Sequence, residues 1–290
     1  SDDREENMRL KLNVYRRVAA HLAEKYPNAK LFIASWDLWM FYKPEEVRRL
    51  VAELDPNQSI ILDYTSDTAR ESNFTNWGVV GRFPWVFGIF SGYEPNSEFR
   101  GYYGLTNERL KLAKADPMCK GLILWPELSH GDTLITEYLA RNAWDSDTLT
   151  IDELVDRFCL DRYPAAQTGL MTRLWHEFMP IVELRAWSSY HTKGYDQSDN
   201  DIFPIIINRA PFSGEPDRFD GLLEPAGKLQ NSAADILRAL SGITTDDEMQ
   251  RRDISDISRT ILGRYIDFGI LRAQKLFLGG SDPSEVMEET

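Results

Sequence analysis

Four short apolar runs, separated by amphipathic helical stretches, constrain this chain more than any of its other features: residues 30–35, 59–64, 84–90 and 121–125. Ahead of the first, Leu10, Leu12, Val14, Tyr15, Val18, Ala19 and Leu22 recur at helical spacing until Pro27-Asn28 ends the run. Pro44 opens the next helix, whose apolar face is Val47, Leu50, Val51 and Leu54, and Asp55-Pro56-Asn57 closes it. A further helix over about 106–115 separates the third run from the fourth. Strands apolar on both faces and joined by amphipathic helices predict a parallel sheet covered by helices, an α/β fold. Four such strands make half of a (β/α)8 TIM-type barrel. The spacing also suits a doubly wound sheet, but no Gly-rich phosphate loop follows any strand, which removes that fold's usual means of holding a nucleotide. The barrel is the favoured expectation.

From Asp132 onward the apolar period becomes helical and stays so. Asp132 caps a helix reaching Trp144, and Thr150-Ile151-Asp152-Glu153 is a capping box before Leu154, Val155, Phe158 and Leu160. Helical patterns continue at about 165–190, 218–241 and 247–278, with a Gly/Pro/Asp/Asn-rich connector over about 193–220. The expected organisation is a partial barrel over 1–148 and an all-α helical domain over 149–290.

A chain of 290 residues with 42% apolar content builds a proper core. Its net charge of −13 argues against nucleic acid or an anionic membrane surface as partner, since both reward clustered Lys and Arg. No apolar run approaches the ~20 residues of a bilayer span. The start, Ser1-Asp2-Asp3-Arg4, lacks the basic and apolar regions of a signal peptide. Two sequons, Asn57-Gln58-Ser59 and Asn73-Phe74-Thr75, carry little weight. Cys119 and Cys159 have no metal-ligand spacing and read as buried free thiols. No metal or cofactor is expected.

Chemistry concentrates where strands end. The run Gly121-Leu122-Ile123-Leu124-Trp125-Pro126-Glu127 stops on a carboxylate directly before a helix start, where barrel enzymes place reacting groups. Glu127 is therefore the candidate catalytic residue, with capping of the next helix as its alternative role. Asp63 ends the second strand on the same face, able to accept hydrogen bonds from ligand hydroxyls or to brace a neighbour. Trp36 and Trp125 flank strand ends as candidate stacking platforms, whereas Trp85, Trp144 and Trp175 read as core. His130, three residues after Glu127, is a candidate to tune its charge or bind a hydroxyl. Glu71 and Glu94 are loop acids with a smaller claim to act as a second carboxyl group. His176 and His191 show no partnering carboxylate pattern, nothing has zinc-site spacing, and Ser129-His130 with Asp132 lacks a nucleophile elbow.

An ordered series of motifs resembles the second half of the catalytic barrel of glycoside hydrolase family 89, the α-N-acetylglucosaminidases. It runs from Tyr26-Pro27-Asn28-Ala29-Lys30 and Ser35-Trp36, through Ile61-Leu62-Asp63 and Phe83-Pro84-Trp85-Val86-Phe87, to Pro126-Glu127 with Trp144 seventeen residues on. The resemblance implies that Glu127 is the nucleophile, that Trp36 lines the sugar pocket, and that the chain holds the carboxyl-terminal half of the barrel followed by the helical domain. It implies a secreted, periplasmic or lysosomal-type location. Two departures stand out: Phe90-Ser91-Gly92-Tyr93-Glu94-Pro95 replaces the family's Asn-Phe-Gly-Gly-Asn loop, which makes Tyr93 a candidate sugar contact, and Leu128 replaces a glycine. The family's acid/base glutamate falls a few residues before Ser1, so the expected partners are a glycan substrate and the amino-terminal half of the same barrel. The expected reaction is retaining hydrolysis of a terminal α-linked N-acetylglucosamine or related sugar. The alternative is a non-catalytic carbohydrate-binding or interaction protein derived from such a barrel.

Overall fold

The computed structural model describes residues 3–63, 66, 73–89, 99, 103–125, 132–144, 149–184, 220–282, 284 and 286, apart from the side chains of Asp37, Met40, Trp144, Leu222 and Asp267. The chain divides into two compact units. One comprises Ser1–Phe90 and Gly104–Pro126; the other comprises Ser91–Tyr103 and Glu127–Thr290.

The first unit holds a parallel sheet in the order β1 (Leu31–Ala34), β2 (Ser59–Asp63), β3 (Trp85–Ile89), β4 (Cys119–Leu124). Sequential parallel order requires a crossover after every strand. The crossovers carry α2 (Ser35–Phe41) and α3 (Pro44–Ala52), then α4 (Asn73–Asn76), then α5 (Tyr103–Ala115), with α1 (Arg4–Lys25) ahead of β1. The α/β character and parallel sheet expected from the apolar runs are present. Two short helices, α2 and α4, were not expected, and β4 begins at Cys119, two residues before the predicted run.

The two faces of the sheet differ. Ile33, Ile61 and Trp85 lie in one register row and Asp63 beside Phe87 in the next, each 1% exposed or less. Phe74 of α4 stacks on Trp85 across 4.5 Å with rings 12° apart, so this face is covered. The alternate residues are apolar but open: Phe32 is 56% exposed, and Leu62, Val86 and Ile123 are half-buried. A parallel sheet is ordinarily buried on both sides. Helix α1 has the predicted period, yet it buries Met8 and Ala19 while Leu10, Val14 and Val18 stay exposed beside the edge strand β1.

Among its described residues the second unit's regular structure is all helical beyond Tyr103: α6 (Thr133–Trp144), α7 (Ile151–Arg162), α8 (Ala165–Val182), α9 (Asp220–Ser241) and α10 (Glu248–Leu278). The helix starts read at Asp132 and at Thr150–Glu153 are present, and Asp247 caps a third. Asp132 accepts from Ile135 N at 2.9 Å, Thr150 and Glu153 exchange capping-box bonds, and Asp247 accepts from Gln250 N at 2.8 Å. Trp175 and Phe178 centre the core. Within it the fully buried Asp253 takes two bonds from Arg162, at 2.8 and 2.7 Å, and one from Tyr163 Oη at 2.8 Å. Such pairing is what makes a buried carboxylate tolerable. No described helix is long and apolar enough to cross a membrane.

Candidate active site

In a parallel α/β sheet, ligands meet the carboxyl ends of the strands. Trp36 is the second residue of α2, just beyond β1, half-buried, its ring 5.6 Å from that of Trp39 and tilted by 58°. Trp125 follows β4 directly. Its amide donates to Ile89 O at 2.9 Å, and the residue is 49% exposed. Both candidate platforms thus sit at strand ends with accessible ring surface. Glu127, His130 and Tyr93 lie outside the described residues, as do Glu71, Glu94 and His191.

Asp63 also ends a strand, but its side chain belongs to the covered face and is fully buried. One carboxylate oxygen accepts from Phe74 N at 3.0 Å. That bond fixes the start of α4. Around it is a polar cluster that periodicity did not reveal. Ser66 donates its hydroxyl to Asp63 O at 2.9 Å and its amide to Gly88 O at 3.0 Å, while Arg109 of α5 donates to Ser66 O at 2.7 Å. Arg109 was findable, because it shares the buried helical face of Thr106, Leu110 and Ala113. A buried guanidinium on an apolar face marks a fixed acceptor nearby.

In the second unit, Asp132 is held as well as capping. The hydroxyl of Tyr103 donates to its second oxygen, and the amide of Tyr103 donates to Glu183 Oε1 at 2.9 Å. The expectation that His176 lacks carboxylate partners is corrected here: its Nε2 lies 2.8 Å from Asp156 Oδ1 and its Nδ1 3.6 Å from Asp152 Oδ1. Those aspartates are one helical turn apart on α7, and only tertiary packing brings α8 against them. No group of three His, Cys, Asp or Glu side chains suited to a metal ion occurs among the described residues. Cys159 is buried, and burial pushes its thiol up to about 12. Cys119 is free but only half-buried, against the reading of both thiols as buried.

Residues 2–146 match the family model described as the alpha-N-acetylglucosaminidase (NAGLU) tim-barrel domain. Among solved structures the chain is similar to a family 89 glycoside hydrolase from Clostridium perfringens in complex with PUGNAc, at 14% identity and a TM-score of 0.55. That likeness covers 96% of this chain and 30% of the other. A second structure of a family 89 glycoside hydrolase from that organism, in complex with 2-acetamido-1,2-dideoxynojirmycin, gives 15% identity and a TM-score of 0.53, covering 96% and 31% of the two chains. At such identities the likeness is one of fold, and the chain spans about 30% of the length of these structures. No curated protein matches the sequence. Half of the chain lies within the one family match, and the chain belongs to the alpha-N-acetylglucosaminidase family.

Proposed function

We propose that this chain is the carboxyl-terminal part of a family 89 glycoside hydrolase that removes terminal α-linked N-acetylglucosamine from glycans. The observation that carries this is the family match over residues 2–146, which spans Trp36, Trp125 and Glu127 in one frame. In this reading residues 1–148 are half of a (β/α)8 barrel and 149–290 a helical domain. The sheet supports it physically. One face is covered, whereas the other is apolar and open at Phe32, Leu62, Val86 and Ile123, as expected where further strands close a ring around it. The exposed stripe of Leu10, Val14 and Val18 on α1 suits a neighbouring helix of the same ring.

Chemically, retention needs an ionised carboxylate to attack the anomeric carbon and a protonated one about 5–5.5 Å away to assist departure of the leaving group. Glu127 takes the first role, and a carboxyl group on the strands that complete the ring takes the second. Trp36 and Trp125 offer flat faces to the sugar, with His130 and Tyr93 addressing its hydroxyls and substituents, and Asp63 bracing the β2 end. The structural relatives hold acetamido-sugar-type ligand chemistry in at least one complex, which is why an N-acetyl sugar is the first choice. In the full-length protein, Glu127→Gln is expected to lower kcat on an aryl α-N-acetylglucosaminide by several orders of magnitude, and NMR of the first-formed sugar should show the α anomer. Near-wild-type turnover would remove Glu127 from the mechanism. Sugar binding without turnover in the wild type would make the protein a lectin-like derivative instead.

A further inference from the structure

Helix α2 begins where β1 ends and packs on β2. Ser35 and Leu38, three residues apart, are each 0% exposed, so Leu38 is the apolar anchor that holds the helix down. Trp36 and Trp39 repeat that spacing one residue later, and both stay half-buried. Their ring centroids are 5.6 Å apart and their planes are inclined by 58°. The two indoles therefore form an angled aromatic surface at a strand end, beside an anchor that already secures the helix without them. A large aromatic left partly open at the carboxyl end of a parallel strand suits a ligand that has an apolar face of its own.

A pyranose has such a face on each side of its ring. Two pyranoses joined through an axial anomeric bond, as in an α-linkage, have their mean planes inclined to each other, whereas equatorial links hold them nearly coplanar. Indole planes 58° apart match the first arrangement. We propose that Trp39 is a sugar-contact residue: it stacks on the residue from which the terminal sugar is released, while Trp36 takes the terminal sugar itself. The proposal rests on the hydrolase reading above and extends it to the leaving-group side. Trp39 lies outside the Ser35-Trp36 pair that carries the family resemblance. Both indoles belong to one helix of one unit, so α2 alone sets the angle between them. Selection for an α-linked second sugar is thus built into a single helix.

The test uses the full-length protein with Trp39→Leu, which keeps apolar bulk without a flat face, Trp39→Phe, which keeps a flat face, and Trp36→Leu. kcat/KM is measured on two substrates that each release an alcohol: methyl α-N-acetylglucosaminide, and the disaccharide that carries α-N-acetylglucosamine on the 4-hydroxyl of glucose. Their ratio reads the contribution of the second ring. The wild type is expected to favour the disaccharide by about tenfold or more, and Trp39→Leu to lower that ratio by about tenfold, the upper size of one aromatic stack. Trp39→Phe should hold the ratio within about threefold of wild type, and Trp36→Leu should depress both substrates together. A wild type without preference for the disaccharide overturns the proposal. So does an unchanged ratio in Trp39→Leu, an equal loss on both substrates in that variant, or a Trp39→Phe ratio no higher than that of Trp39→Leu. A wild type that cleaves neither substrate instead overturns the hydrolase reading, an outcome visible before any variant is made.

Discussion

The hydroxyl of Tyr103 donates to the carboxylate of Asp132, and both side chains are buried, at 1% and 2% exposure. Because the other oxygen of Asp132 receives Ile135 N, one acid both starts α6 and ties it to the residue that opens α5. Tyr103→Phe keeps the ring and deletes the donor, leaving a buried charge with one bond fewer. The expected loss of stability is about 1.5–3 kcal/mol, the range for hydrogen bonds to charged groups, read as a lower urea midpoint in the full-length protein. Glu127 lies five residues before Asp132 in sequence, so in the proposed enzyme kcat should fall as well. A midpoint equal to wild type would mean that the cap alone holds Asp132.

Asp116 performs a comparable task under the sheet. It accepts from Trp85 Nε1 at 2.7 Å, Met118 N at 2.9 Å and Gly81 N at 3.1 Å, joining the entries of β3 and β4 to the turn before them. Burial pushes its carboxyl up, but these bonds outweigh burial and hold it below the usual carboxylate range. Asp116→Ala strands the indole donor in the core and should cost about 3 kcal/mol, whereas Trp85→Phe removes donor and bulk together. A double-mutant cycle is expected to show a coupling of at least about 1 kcal/mol, and strict additivity would show that Trp85 Nε1 gains nothing from Asp116.

The parallel sheet and two helix starts were legible because each is a local pattern: apolar runs of strand length, and Asp132 and Thr150 just before apolar periods. What escaped is non-local or locally atypical. Helix α2 starts at Ser35 straight off β1, with Ala34 as its N-cap and no capping side-chain bond, so nothing marked it. Strand β4 extends back to Cys119 because that residue pairs with Trp85, a register fact that Pro117 two residues earlier obscures. Among the candidate site residues, Trp36 and Trp125 were placed correctly at strand ends. Asp63 was placed on the right strand, but its facing depends on which side of the sheet the helices cover, and a run apolar on both faces does not encode that. The bond from Phe99 N to Thr260 Oγ1 joins residues 161 apart, and no spacing rule reaches so far.

Acid stability should report on one pair in particular. Glu46 of α3 receives Arg4 Nε at 2.7 Å and Lys43 N at 2.7 Å, with a further bond from Arg4 Nη2. Against the upward push of burial, the Arg4 guanidinium first and the Lys43 amide next lower its carboxyl from 4.5 to about 2. The folded value lies below the unfolded one, so the stabilisation is fully present above pH 4.5 and is lost as pH falls towards 2. Since the Arg4 side chain is 50% exposed, solvent screens the pair and its worth is about 1 kcal/mol rather than the full shift. Urea midpoints of the full-length protein from pH 7 to 2.5 are expected to fall less steeply for Glu46→Gln than for the wild type. The two should differ most at neutral pH and converge near pH 2.5. Parallel curves over the whole range would show that Arg4 does not hold Glu46 charged, and that α3 is tied to α1 by packing and by the Glu5–Arg49 pair instead.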